Sequence, residues 1–505
     1  MTCNFCNTTD ASDFDPSQCS TMLGNSQCEG CRELENLEAQ IRDAYDTLRQ
    51  LKRKRFPVKE KVNQLHDPFS RYGVPVEIIL RVFELCIDTP QHSPIPQSFD
   101  YSADGFATPL LISAVCRRWR QVALAAPGLW TSLKVLLREG MDPTGHGELM
   151  QQWLLRSGTR PLHLVVYDKT SLISTAHQQF AQGLLNATKA QAHRWKSLTV
   201  SASAHLYSSI IGGVSSAPLL KSITLDGLAT ESDLFCIPDT PSLEQLRLRG
   251  PFLKSISMQW NHITTFQMEM ISKDEIFELL RRAEQLEICK LTKVFPGLTG
   301  FDLPESPLLH RCLKDLQIEF KSEVLGGFYS FLLLPSLTHL AMSLRLSLVT
   351  DEFIALCTGS SIQAFEFRDF FPNKVTDSDL IRILEHMPTL KRLSLFESHT
   401  HEIVKFRMFG RPGFSWVSFL EALKSIRNRS QQLESSIEDP TPAPRVTVKL
   451  HLYFLSHDET YVDAYVLSQL VDPAFRRDMH LEITDEKNGR DLIKASLIHH
   501  GFPAS

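Results

Sequence analysis

The residues best suited by type and spacing to do chemistry lie at the start of the chain, in Cys3-Asn4-Phe5-Cys6 and Cys28-Glu29-Gly30-Cys31. Two Cys-x-x-Cys pairs supply four thiolates, the donor set of a tetrahedral zinc, and a metal would stabilise a segment too short to build a core. The spacer of 21 residues lies slightly outside the usual range of about 15 to 20. Its Asp/Ser/Asn-rich content offers little to pack. A polar tail over residues 1–33 with incidental cysteines is therefore expected, and a zinc closed off by four thiolates is the alternative; such a site would be structural, not catalytic. The chain contains no Gly-x-x-x-x-Gly-Lys-Ser/Thr phosphate loop, no Gly-x-Ser-x-Gly elbow, no His-Glu-x-x-His pair and no Gly-x-Gly-x-x-Gly after a strand. The adjacent His499 and His500 have no carboxylate or cysteine beside them in sequence and are expected at the surface. Neither an enzymatic activity nor a cofactor is expected.

The elements that would position any site follow from composition and period. At 505 residues, with 43% hydrophobic and 22% charged residues, the chain has the make-up of a globular protein too long for one compact core. A net charge of −5 argues against a broad field for nucleic acid or membrane surfaces. No apolar run is long enough to span a bilayer, and Met1 to Asp10 lacks a signal-peptide layout, so an intracellular location with its 11 cysteines mostly reduced is expected.

Over residues 34–66 the spacing predicts a helix with a coiled-coil-like seam. Leu34, Leu37, Ile41, Ala44, Leu48 and Leu51 step alternately by three and four, and Val58, Val62 and Leu65 resume the pattern beyond Pro57. Pro57 is expected to break or kink the helix. Self-association through the seam is one reading; folding back onto the next helices is the favoured one. Lys52-Arg53-Lys54-Arg55 fits a solvated helix end, with a nuclear import signal the alternative.

A second helix is predicted from Pro75, suited to a first helical position, through Val76, Ile79, Leu80, Phe83 and Ile87. A third runs from Leu111 through Ala114, Val115, Trp119 and Val122 to the stop at Pro127-Gly128. The Pro-x-Glu-Ile-Ile run at Pro75 to Ile79, the Val-Cys-Arg-Arg-Trp run at Val115 to Trp119 and the trailing Pro-x-Leu-Trp-x-x-Leu from Pro127 to Leu133 together resemble an F-box, in the form common in large fungal families. Val74 stands where such boxes usually carry Leu, and an insertion over 88–109 separates the helices, giving an F-box-like domain over 67–135.

Beyond Leu133 an apolar-x-x-apolar-x-apolar strand signature recurs, with middle residues at 198, 223, 246, 266, 286, 316, 340, 365 and 393. The mean period of about 24 residues falls in the leucine-rich-repeat range. Ser272-x-x-Glu275 and Thr376-x-x-Asp379 resemble capping boxes before helical runs, and Thr350-Asp351 before Phe353-Ile354-Ala355-Leu356 reads similarly. The expected class is therefore an α/β (α+β) repeat: an N-terminal helical segment and F-box-like hairpin, then an irregular leucine-rich-repeat-like solenoid over 136–416 with parallel strands on its concave face and helices outside. Leu162, Leu164 and Val166 are read as a first, atypical strand. A capping region over 417–505 follows, with a strand at Val446, Val448, Leu450 and Leu452 beyond the Pro-rich Ser435 to Pro444 linker.

The F-box resemblance implies a substrate-receptor subunit of a cullin–RING ubiquitin ligase, holding the adaptor through the box and a target protein through the repeats. It implies that Val74, Pro75, Ile78, Ile79, Leu80, Phe83, Val115, Cys116, Trp119, Leu129 and Trp130 divide between the box's core and its adaptor-facing surface, with Ile78, off the main stripe, the best contact. Two other readings remain open. One is a scaffold whose hairpin only caps the repeats; the other is a zinc-dependent nucleic-acid binder resting on Cys3, Cys6, Cys28 and Cys31.

Overall fold

The computed structural model describes residues 29–66, 73–87, 108–137, 143–168, 183, 185–202, 207, 210–227, 234–296, 300–321, 327–343, 351–368, 382–387, 389–396, 416–434, 446–452, 461–485 and 489–502. The chain divides into two compact units, Met1–Leu129 and Trp130–Ser505.

In the first unit α1 (Glu29–His66) is one 38-residue helix that carries Pro57 inside it, so the expected break does not occur. A mid-helix proline costs about 3 kcal/mol, a cost the long flanking runs of Leu, Ala, Glu, Lys, Arg and Gln offset because all are strong helix formers. The seam of α1 is not folded away: Leu37, Ile41, Leu48, Leu51, Val58, Val62 and Leu65 are all exposed. An ion pair of 3.1 Å from Arg117 to Glu60 joins α1 to the following helices.

α2 (Val76–Leu85) begins one residue later than expected, with Pro75 in extended conformation at its N-cap position. Buried Ile79 and Phe83 form its inner face, while Val76, expected on that stripe, is exposed. The predicted third helix is two helices, α3 (Thr108–Val115) and α4 (Arg117–Leu124). Cys116 separates them because it is extended (φ −152°, ψ 172°) and caps α4, its Sγ accepting from the Trp119 N–H at 3.4 Å. Arg120 Nε bridges the break to the Ser113 carbonyl at 2.8 Å, and Arg118 donates to the Val74 carbonyl at 3.2 Å.

The second unit carries β1 (Ser132–Leu137), α5 (Pro143–Arg156), β2 (Leu162–Asp168), β3 (Trp195–Ser201), β4 (Ser222–Asp226), β5 (Phe235–Cys236), β6 (Gln245–Arg249), β7 (Ile256–Ser257), β8 (Thr265–Glu269), α6 (Lys273–Arg282), β9 (Ile288–Val294), β10 (Leu308–Leu309), β11 (Asp315–Phe320), β12 (Leu332–Leu333), β13 (His339–Ser343), α7 (Asp351–Thr358), β14 (Ala364–Arg368), β15 (Arg392–Phe396), α8 (Trp416–Glu434), β16 (Val446–Leu452), α9 (Ala464–Leu470), α10 (Pro473–Asp478), β17 (Met479–Asp485), β18 (Arg490–Asp491) and α11 (Leu492–His499). Fourteen of these strands form one sheet in the order β1-β2-β3-β4-β6-β8-β9-β11-β13-β14-β15-β16-β17-β18. Each pairs in parallel with the next up to β17, and only β18 is antiparallel. β5 pairs with β7 and β10 with β12, away from this sheet.

The protein is thus a mixed α/β chain with an N-terminal helix and a large, mostly parallel sheet. One face of that sheet is sealed. Leu198, Ile223, Leu246, Phe266, Cys289, Leu316, Leu340, Phe365, Leu393 and Val448 stand in register across it, every one at most 4% exposed. A further apolar residue precedes many of these strands, among them Leu220, Leu243, Ile263, Leu313, Leu337 and Ile362, again all but fully buried. Each such side chain contributes about 2 kcal/mol by leaving water, which is why this spacing dictates the strand positions.

The structure corrects the expected pattern in three places. The repeat near 286 is shifted: Cys289, not Leu286, pairs with Phe266, because Cys packs as a small apolar residue and Leu286 occupies the preceding buried position. Leu162–Asp168 is the second strand, since Ser132–Leu137 already pairs with it, Leu133 beside Leu164. The C-terminal region does more than cover an end: β16 and β17 extend the same parallel sheet. The capping box expected at Ser272 is present, with Ser272 Oγ accepting from the Glu275 N–H and the Glu275 carboxylate accepting from the Ser272 N–H. Thr376 and Asp379 lie outside the described residues.

Candidate interaction surfaces

In the first unit a small core supports an apolar exterior. Ile79 and Phe83 of α2 and Val122 and Ala123 of α4 are buried, the Phe83 and Trp119 rings lie 4.9 Å apart, and Leu129 closes the unit at 1% exposure. The remaining F-box-like residues grade outward. Val74, Leu80, Cys116 and Trp119 are half-buried, and Pro75, Ile78 (54%) and Val115 (48%) are exposed. Val76, Val82, Leu85, Leu111 and Leu124 are exposed as well. Trp130 differs from the expectation: it is fully buried in the second unit, 4.8 Å from the Trp153 ring and beneath the Arg156 guanidinium at 4.6 Å. Its large apolar area fills a core there.

The second unit presents the polar face of the sheet. Asp226, Arg249 and Glu269 are register neighbours on successive strands, and Arg249 Nε lies 3.7 Å from Asp226 and 3.0 Å from Glu269. Lys293 extends the line to Glu269 at 2.6 Å from a left-handed backbone (φ 55°), where β9 bulges against β11. Burial raises the Asp226 carboxyl and Arg249 draws it back down. Further along, His339 Nδ1 is 2.9 Å from Asp315 and its Nε2 3.9 Å from Glu366. The hydrogen bond that His339 donates to the Asp315 carboxylate raises that imidazole above its ordinary value, against a smaller opposing effect of burial. A cavity of about 460 Å³ opens beside it, lined by Thr338, His339, Gln363, Ala364, Lys391, Arg392 and Thr447. Sequence reasoning missed these clusters. In the first cluster each of Asp226, Arg249 and Glu269 directly follows the last apolar position of its strand.

Arg249 and Lys293 pair with Asp226 and Glu269 across neighbouring strands, and His339 lies between Asp315 and Glu366. Among the described residues no group of three His, Cys, Asp or Glu side chains could hold a metal ion. Cys31 is buried in the first turn of α1, and Cys3, Cys6 and Cys28 lie outside the described residues. Phe365 and Phe367 are core, the two rings stacked 6.1 Å apart and each at most 4% exposed. Among the described residues no helix is long and apolar enough to cross a membrane. No family model matches the chain, and no curated protein matches it.

Proposed function

We propose that the chain is an F-box-like substrate receptor of a cullin–RING ubiquitin ligase: its first unit binds the adaptor, and a leucine-rich-repeat-like solenoid in its second unit holds a target protein. The observation that carries this reading is the way the F-box-like residues divide. Ile79 and Phe83 form a core, while Pro75, Ile78 and Val115, with Val76, Val82, Leu85 and Leu111 around them, leave apolar side chains in water. A small helical unit keeps so much apolar surface exposed when a partner covers it. The solenoid reading is supported by a parallel sheet whose strands follow chain order, each with apolar residues at one recurring spacing. The chain itself is non-catalytic in this account, and its target is recognised on the charged sheet face.

The test is co-purification of the full chain with the adaptor subunit, wild type beside Ile78→Glu. Ile78 is exposed, so the variant keeps its circular dichroism spectrum and loses the adaptor. A wild-type chain that fails to bind the adaptor contradicts the proposal and leaves the hairpin a structural cap on a scaffold.

A further inference from the structure

We propose that α1 is a homodimerisation element that pairs with α1 of a second copy of this chain in an antiparallel coiled coil. The inference does not rest on the ligase reading. Heptad a positions fall at Leu34, Ile41, Leu48, Arg55 and Val62, and d positions at Leu37, Ala44, Leu51, Val58 and Leu65. The repeat runs unbroken through Pro57 because the helix does. It keeps step for about four heptads, enough for a specific pair. Ile41, Leu48, Leu51, Val58 and Leu65 are between 45% and 72% exposed, so among the described residues nothing covers the seam.

Two observations select a second copy in antiparallel orientation. The first is charge. The N-terminal half of α1 carries Glu29, Glu33, Glu35, Glu38, Asp43 and Asp46 against Arg32 and Arg42, and the C-terminal half carries Arg49, Lys52, Arg53, Lys54, Arg55, Lys59 and Lys61 against Glu60. An antiparallel pair sets the acidic half of each helix against the basic half of the other. In the register that puts Leu34 against Leu65 of the second copy, Glu33 faces Lys61 and Gln40 faces Lys54. A parallel pair instead places Glu33 beside Glu38 and Lys54 beside Lys59, repulsive contacts repeated on both sides. The second observation is size. In the same antiparallel register Ile41 meets Val58, Leu48 meets Leu51 and Val62 meets Leu37. Arg55, the one charged core position, meets Ala44, the smallest. A parallel pair would stack Arg55 on Arg55.

Sedimentation equilibrium of the full chain reads the outcome. Wild type is expected to sediment at twice the monomer mass, and the Leu48→Glu/Leu51→Glu double variant as a monomer. Because those changes bury carboxylates if the pair still forms, the dissociation constant rises about a hundredfold or more. A charge variant separates the orientations without touching the apolar seam. Glu33→Lys meets Lys61 in the antiparallel pair and weakens it about tenfold, and adding Lys61→Glu restores it; in a parallel pair Glu33→Lys meets Glu38 and tightens it. A monomeric wild type overturns the proposal, as does a dimer indifferent to the double variant or one tightened by Glu33→Lys.

Discussion

Glu275 ties one repeat to the one before it, and its removal is the sharpest single perturbation of the sheet unit. The residue is 0% exposed in the first turn of α6. One carboxylate oxygen accepts from the Leu253 N–H at 2.7 Å, and the other from the Ser272 N–H at 3.1 Å and the Ser272 hydroxyl at 3.2 Å. Glu275→Ala leaves two buried N–H groups without acceptors, each worth about 1–3 kcal/mol. Part of that cost is returned because a carboxylate no longer has to be held away from water. The expected net loss is about 3 kcal/mol. Read as a urea midpoint by circular dichroism, that is a fall of about 1 M for a slope of about 3 kcal/mol per M. The comparison is Glu278→Ala on the same helix, which removes contacts of 3.0 Å to Arg281 and 2.7 Å to Arg282. Those arginines are about one-third exposed, so water screens the pairs and the loss stays below about 1 kcal/mol. Equal midpoints for the two variants would refute the argument that buried N–H satisfaction, rather than charge pairing, holds the repeats together.

Arg194, 3% exposed, donates to Gln191, to the Ser157 hydroxyl at 2.9 Å and to the Arg160 and Leu154 carbonyls at 3.0 and 3.3 Å. Arg194→Ala strips the acceptors around the end of α5 and is expected to cost about 3 kcal/mol, seen as early proteolysis near residue 157. Gly227 is held at φ +159°, and a Cβ there would lie 1.8 Å from the Ala202 carbonyl oxygen. Gly227→Ala must force β3 and β4 apart, and amide exchange within Ser222–Asp226 is expected to rise; unchanged protection counts against the close approach. His163 is pushed down to about 4, first by burial and then by Lys196. The unfolded chain takes up that proton near 6.5 and the folded chain near 4, so this group's stability contribution is complete above 6.5 and is lost as pH falls through that window. A His163→Gln variant therefore loses less of its urea midpoint between pH 7.5 and pH 5 than wild type does.

Strand positions were legible because each strand of the sheet buries one face, and burial forces Leu, Ile, Val, Phe or Met to recur at a fixed offset. Where a cysteine took that place, at Cys289, the pattern slipped by three residues although the strand itself was evident. The opening strand, Ser132–Leu137, went unread because Leu133 also completes the F-box-like pattern, and one stretch of chain serves both descriptions. The break at Cys116 was invisible for a different reason. Periodicity continues across it, and only the backbone turn that lets a thiol cap α4 reveals it. The seam of α1 was plain in sequence, but whether it is covered is a tertiary property that spacing does not encode. The charged clusters at Arg249 and His339 depend on register between strands about 24 residues apart, so no local motif announces them.

Hydrogen–deuterium exchange of the full chain with and without the adaptor tests the central claim most directly. The account predicts that added protection is confined to peptides spanning 74–86 and 108–129, around Ile78, Leu111 and Val115, with the sheet unit unchanged. Protection confined to the sheet strands, or no change anywhere at saturating adaptor, would contradict it.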